Sequence, residues 1–299
     1  MDIRALRYFV EVVQHQSFTA AAEALFVTQP NVSKMIKQLE TELGAPLLVK
    51  EGRRITLTDT GRIVFERGQE ILAMQARLHA EVRDLNHHAR GELVIGIPPL
   101  ASGLLTPLMA RFHNQYPRIE LKLFERGSRS VEDELRSGKL EIGAMLLPVD
   151  NNEFDTMQLC RYPLQLIAPA NSPWAGKASV SLKDLAQEPF IFYGEGFVLN
   201  EIVHAACTRA GFTPIIAGRS SQWDFVASMV EAGVGIALLP ELFGMKLNRK
   251  QFVVLPIDPP QIWWNMGLAW RRGKYQSFAA RAWLEMAAEM LADQQLPPD

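Results

Sequence analysis

The stretch 18–44, FTAAAEALFVTQPNVSKMIKQLETELG, decides how the start of this chain is read. Ser17 or Thr19 opens a short helix carried by Ala20, Ala21, Ala22, Ala24 and Leu25, which Val27 and Thr28 interrupt. Thr28 suits the N-cap of a second helix, because a hydroxyl there can accept a backbone N–H that the first turn leaves unpaired. Pro30 follows where a missing N–H costs nothing. Val32, Met35, Ile36, Leu39 and Leu43 recur at spacings of three and four, which makes one buried stripe, and Gly44 supplies a stop. The outer face then carries Gln29, Asn31, Ser33, Lys34, Lys37 and Gln38. Amides, hydroxyls and cations so arranged fit two readings: a solvated helix surface, or a face that hydrogen bonds to base edges and phosphates in a major groove.

The following segment, 45–61 (APLLVKEGRRITLTDTG), alternates apolar and polar residues about a turn at Glu51 and Gly52, which predicts a β-hairpin. Arg53 and Arg54 sit on that turn. A hairpin with a basic tip directly after a polar-faced second helix is the layout of a winged helix-turn-helix, whose wing reaches the backbone or the minor groove of a duplex.

Four runs together resemble the N-terminal signature of the LysR-type transcriptional regulators: Ala20-Ala21-Ala22-Glu23-Ala24-Leu25, Thr28-Gln29-Pro30-Asn31-Val32-Ser33, Gln38-Leu39-Glu40 to Gly44, and Leu57-Thr58 to Gly61. The resemblance implies that Gln29, Pro30, Ser33 and Lys34 face DNA from the recognition helix, and Arg53 from the wing. Thr28, Asn31, Lys37 and Arg54 complete the candidate contact set. The chain departs from the family at Leu48 and Lys50, where Phe and Arg are usual, and at Asn31, where Ala is common. A Lys at 50 lacks the bidentate fork that an Arg offers a phosphate.

A chain of 299 residues has room for roughly two domains. Its 48% hydrophobic and 21% charged content is that of a globular protein with a sizeable core. With a formal charge of -2 it is no general polycation, so DNA affinity has to come from local cations: Lys34, Lys37, Lys50, Arg53 and Arg54. Cys160 and Cys207 lie far apart with no CxxC spacing, which speaks against a metal or redox site and fits a reducing compartment. No leader pattern opens residues 1–13, and no run is apolar enough to span a membrane, so a cytoplasmic location is expected.

Ile3, Leu6, Phe9, Val10 and Val13 give a first amphipathic helix that packs on the helix pair. From Thr58, a candidate cap, the chain reads helical to about His87. Val64, Ile71, Leu78 and Leu85 recur every seven residues, with Leu72, Met74 and Val82 widening the stripe, as in a dimerisation helix. A dimer presents two recognition helices and asks for a two-fold related operator in double-stranded DNA. His87 and His88 are adjacent and diverge on a helix, so they do not share a metal, and no cofactor or metal is expected.

Beyond Gly91, short apolar runs at 93–97, 121–124, 142–146, 164–168, 190–193, 234–239 and 266–270 alternate with helical patterns at 104–116, 131–136, 199–210 and 225–232. A final amphipathic helix covers 278–291. This alternation predicts a largely parallel α/β sheet. The family resemblance implies more: an effector domain like a periplasmic binding protein, with a cleft between two subdomains. The expected layout is a winged helix-turn-helix over 1–61, a linker and dimerisation helix over 62–90, and an effector-binding domain over 91–299. Its subdomain I comprises 91–162 and 264–299, and its subdomain II 163–263.

Clefts in α/β sheets lie beyond the strand C-termini, where helix N-termini present free N–H groups to an anion. The turns 98–103, 125–130, 194–198 and 219–222 therefore carry the candidate effector residues: Pro99, Leu100, Ser102, Ser128, Gly196, Phe197 and Ser221. The three serines suit a small carboxylate, or serve simply as helix caps; Leu100 and Phe197 can wall an apolar part. Trp263 and Trp264 read as packing, and Arg271 and Arg272 as surface or subunit contacts. The stretches 96–99 (GIPP), 188–197 (EPFIFYGEGF), 219–225 (RSSQWDF) and 281–285 (RAWLE) resemble the CidR-type branch of the family, which implies a short monocarboxylate effector.

An enzyme reading finds no G-x-S-x-G, P-loop or HExxH, and neither cysteine has a catalytic neighbour. A ligand-independent architectural DNA binder is the other alternative, and it leaves the large α/β half without a purpose. The expectation is a regulator acting as a homodimer or homotetramer, tuned by a small-molecule effector and not associated with membranes.

Overall fold

A computed structural model describes residues 1–51, 54–85 and 91–293, and the chain falls into two compact units, Met1–His87 with Ser137–Lys139 and His88–Arg136 with Leu140–Asp299. The adjacent histidines and the wing-tip Arg53 lie outside the described residues.

In the first unit, Asp2 caps α1 (Ile3–His15) by accepting the Arg4 N–H at 2.8 Å. Ala5, Leu6, Phe9, Val10, Val12 and Val13 form its buried side. Ser17 caps α2 (Phe18–Ala24), its Oγ accepting the Ala20 N–H at 3.2 Å. Thr28 is the N-cap of α3 (Gln29–Leu43) by position, yet its hydroxyl makes no capping bond. The reason is Pro30. Of the two N–H groups a cap side chain normally reaches, the one at the second helical position does not exist, and that of Asn31 bonds the Thr28 carbonyl at 3.0 Å. Gly44 ends α3 at φ +69°.

The hairpin of β1 (Leu48–Glu51) and β2 (Arg54–Leu57) pairs antiparallel from Leu48↔Leu57 to Glu51↔Arg54. Glu40 of α3 holds it in place, its Oε1 accepting the Leu47 N–H at 2.8 Å. Thr58 Oγ accepts the Gly61 N–H at 2.8 Å, capping α4 (Asp59–Leu85). A Cβ on Gly61 would overlap the Leu47 carbonyl oxygen, so only glycine fits there. Val64, Phe65 and Leu72 of α4 pack on the core formed by α1, α2, α3 and the wing. Ile63, Ile71, Met74, Leu78 and Val82 remain exposed.

The second unit contains β3 (Gly91–Ile97), α5 (Ser102–Gln115), β4 (Ile119–Glu125), α6 (Ser128–Ser137), β5 (Ile142–Leu146), β6 (Phe154–Pro169), β7 (Pro189–Tyr193), α7 (Val198–Arg209), β8 (Ile215–Ser220), α8 (Trp223–Glu231), β9 (Ala237–Pro240), α9 (Glu241–Gly244), β10 (Phe252–Pro256), β11 (Trp263–Arg271) and α10 (Phe278–Asp293). The main sheet runs β10-β6-β11-β5-β3-β4, with β9 also on β6, while β7 and β8 pair in parallel. Buried residues of α5 and α10, including Leu105, Phe112 and Trp283, join the core that holds Leu93, Ile95 and Ile97. Val131 and Leu135 of α6 form a separate cluster with Met145, Phe154 and Ala269.

The sheet is mixed rather than largely parallel. Among the named strands the β3–β4, β3–β5 and β7–β8 pairs run parallel, and the other pairs antiparallel. The expectation failed at β6, a single long strand that pairs antiparallel with β11 up to Pro163 and with β9 and β10 from Leu164 onward. It thereby carries the chain from one half of the unit to the other, and β11 brings it back.

Candidate nucleic-acid interface and effector cleft

Burial divides α3 into two faces. Val32, Ile36 and Leu39 are sunk in the core, while Gln29, Pro30, Asn31, Lys34, Lys37 and Gln38 are exposed and Ser33 is half-buried. Gln29 to Gln38 spans about 14 Å along the helix axis, comparable to the width of a major groove. No carboxylate pairs with Lys34 or Lys37 among the described residues, so both cations are free to meet phosphate. Glu11, the nearby acid, faces His15 of its own helix at 3.4 Å. Thr28 is exposed, and its hydroxyl, unused as a cap, is available to a partner. The backbone of Arg54 is fixed in β2; its side chain, like that of Lys50, lies outside the described residues.

In the second unit the candidate effector residues divide into two groups. Ser128 is 4% exposed and makes no side-chain hydrogen bond among the described residues. The preceding Gly127 packs directly on the other half: a Cβ there would lie 2.5 Å from the Gly196 carbonyl oxygen. Phe197 is buried and stacks on Tyr193 with ring centroids 5.7 Å apart. Ser221 is exposed, and its Oγ would lie 2.5 Å from a Cβ on Gly194. Ser128, Gly196, Phe197 and Ser221 thus surround one turn, 194–197. The second group is Pro99, Leu100 and Ser102, at the entry to α5. Leu100 belongs to the hydrophobic core, Pro99 is half-buried, and Ser102 Oγ donates to the Pro99 carbonyl at 2.8 Å. Ser102 and Ser221 cap no helix, since Ala101 and Gln222 hold the N-cap positions of α5 and α8 without side-chain capping bonds, and Ser128 is the first residue of α6 rather than its cap.

Several residues that sequence reading passed over shape this region. Arg129, in the first turn of α6, pairs with Glu201 of α7 through both carboxylate oxygens, at 2.7 and 2.8 Å. Asn200 fixes the 194–197 turn, its Oδ1 accepting the Tyr193 N–H at 2.9 Å and its Nδ2 donating to the Gly194 carbonyl at 2.9 Å. The Tyr193 hydroxyl is buried without a partner among the described residues, and burial pushes its pKa up. Lys246 extends to the first turn of α5, its Nζ 3.8 Å from where a Cβ of Gly103 would be, and pairs with no carboxylate among the described residues. Tyr162, Trp264, Phe243 and Trp223 form a chain of ring contacts at 6.5, 6.1 and 5.1 Å. Trp264 is a packing residue, as expected, while Trp263 lies under the Arg161 guanidinium at 4.2 Å. Arg129 and Glu201 read in sequence as ordinary surface charges, and nothing local marks Lys246.

A helix-turn-helix with a free polar face, joined to a two-halved α/β unit, defines a DNA-binding regulator with a ligand-binding domain. Residues 3–62 match the bacterial regulatory helix-turn-helix protein, lysR family, and residues 86–292 match the LysR substrate binding domain. The chain therefore belongs to the LysR family of transcriptional regulators. It is 40% identical, over 98% of either chain, to the uncharacterized HTH-type transcriptional regulator YwbI of Bacillus subtilis. It is 30% identical to OxyR of Escherichia coli, over 91% of this chain and 90% of that one. Among solved structures it is similar to a full-length single-residue variant of OxyR from Pseudomonas aeruginosa, with TM-score 0.69 and 28% identity over 97% and 94% of the two chains. The CbnR regulator, solved with its target DNA, shares the fold at TM-score 0.67 and 21% identity over 97% and 99%. This protein is accordingly a DNA-binding transcriptional regulator with an effector-binding domain.

Proposed function

We propose that the effector is a small carboxylate, bound between the two halves of the second unit, and that its binding changes the protein's engagement of operator DNA. The observation that carries this reading is Lys246. An ammonium from one half, with no carboxylate partner among the described residues and the Phe243 ring 5.7 Å away, stands beside the first turn of α5 in the other, where its charge is offered to an anion. Ser128, a buried residue whose hydroxyl is unbonded among the described residues, offers a further donor, and the stacked Tyr193 and Phe197 an apolar wall. The likeness to the CidR-type branch favours a short monocarboxylate. In this reading the protein acts in the cytoplasm as a homodimer or homotetramer and is not an enzyme; among the described residues no helix is long and apolar enough to cross a membrane. A ligand regulates by binding one arrangement better than another.

The peroxide response named for some relatives is not carried over. Burial raises the pKa of Cys160 to about 12 and that of Cys207 to about 11, so both are protonated thiols, poor in the thiolate that oxidation requires.

The test is the thermal midpoint of the intact protein against a panel of monocarboxylates, dicarboxylates, keto acids and aromatic acids. A ligand at a hundred times its Kd adds about 2.7 kcal/mol, or roughly 5–10 °C for a unit of this size. The shift is expected to vanish in Lys246→Met. A shift that survives that substitution unchanged removes Lys246 from the site.

A further inference from the structure

Phe26 occupies the turn between α2 and α3. Its N–H bonds the Glu23 carbonyl and the Val27 N–H reaches back to Ala22, the pair of bonds that closes a helix through one left-handed residue. Glycine or asparagine takes that conformation at least cost, yet here a phenylalanine holds φ +54°. Besides Phe26, the non-glycine residue with positive φ among those described is Gln16, whose side chain donates to the Val13 carbonyl at 2.9 Å. Phe26 has no such compensation. Its side chain is 95% exposed, in neither the core nor a ring contact, so folding gains nothing from the aromatic at a position that penalises it.

What the position does offer is proximity to the recognition face. Two residues on come the unused Thr28 hydroxyl and then the exposed Gln29, Pro30 and Asn31. A duplex that takes the N-terminal turn of α3 into its major groove brings the α2–α3 turn to the groove edge. We propose that Phe26 is a base-contacting residue, its ring packing on the 5-methyl group of a thymine at the margin of each half-site. Apolar side chains read thymine in this way because that methyl is the one apolar feature of the major groove. The inference rests on α3 being the recognition helix.

The experiment uses the full chain and duplexes selected by it from a randomised library, each with single thymines replaced by deoxyuracil, which lacks the methyl. Phe26→Asn removes the ring and relieves the backbone, so the variant is expected to fold at least as stably as the parent. It should lose about tenfold in affinity for the selected duplex. The parent should lose a similar factor at one particular thymine-to-uracil position, to which the variant is indifferent, and Phe26→Leu should retain part of the preference. The inference is overturned if Phe26→Asn binds the selected duplex as the parent does, or loses equally on random duplex, or stays sensitive at every thymine. It is equally overturned if only the oligomeric state changes. Gln29→Ala separates the two levels: lost preference there with Phe26→Asn unaffected leaves α3 as reader and Phe26 out, whereas no effect of either removes α3 itself.

Discussion

Gly127→Ala tests whether the two halves of the effector-binding unit meet in close backbone contact at the 194–197 turn. The added Cβ would lie 2.5 Å from the Gly196 carbonyl oxygen and 2.9 Å from its carbon, both backbone atoms that cannot swing aside. The φ of Gly127 is not among the positive values, so alanine meets no conformational penalty, and an unobstructed Gly→Ala change would stabilise by about 0.4–1 kcal/mol. An overpacked contact destabilises by about 1–3 kcal/mol, so the sign of the effect decides. For a unit of about 200 residues the expected loss corresponds to a fall of roughly 2–12 °C in thermal midpoint. One complication is that the Gly127 carbonyl accepts the Val131 N–H, which makes Gly127 the N-cap of α6, where alanine is itself unfavourable. Gly127→Ser resolves it, because serine is a good cap but carries the same Cβ. Clash predicts that both variants lose stability, the alanine variant more because it also loses the cap; a serine variant as stable as the parent, or an alanine variant more stable, would refute the close approach. The neighbouring Arg129–Glu201 pair should matter less. Both side chains are more than half exposed, at 61% and 54%, which limits the pair to at most about 1 kcal/mol and makes it salt-sensitive.

Gln29→Ala should cost about 1–3 kcal/mol on a selected operator duplex and little on random DNA, measured by titration at fixed salt; equal losses would remove it from base reading. Arg53→Ala should weaken both alike and flatten the salt dependence by about one unit, and an unchanged slope would take the wing off the phosphates. Leu78→Glu, with Met74 and Val82 on the exposed stripe of α4, should lower the oligomeric mass seen by light scattering; an unchanged mass would exclude this stripe from the subunit contact. Because the folded cysteines titrate above their ordinary value of 9.0, the stability they contribute is fully present below that pH. Stability should fall as pH rises from about 9 toward 12, less steeply in Cys160→Ala, as followed by urea unfolding.

The DNA-binding unit was legible because its signals are local. Caps, the Pro30 turn, the 3–4 spacing of Val32, Ile36 and Leu39, and the hairpin all lie within a few residues of what they determine. The one local error, the Thr28 cap, came from weighing Thr28 and Pro30 separately when the proline removes a donor that the threonine would have used. The heptad on α4 was only partly legible. Val64 repeats in register with Ile71 and Leu78 but is drawn into the core around α1, leaving Ile71, Met74, Leu78 and Val82 as the exposed run; the Leu85 side chain lies outside the described residues.

The effector-binding unit was less legible for two physical reasons. The missed first half of β6 mixes Asp155, Thr156, Gln158 and Arg161 with its buried residues, so it does not read as an apolar run, and β8 is an exposed edge with little apolar alternation. More important, the proposed site rests on pairs remote in sequence: Gly103 with Lys246, Gly127 with Gly196, Arg129 with Glu201. Hydroxyls at helix starts were found because helix starts are visible in sequence, and Lys246 was not, because a cation after the short α9 gains meaning only from what faces it. The same asymmetry bears on regulation. A ligand bound between the halves, as proposed, regulates only by binding one spacing of these contacts better than another.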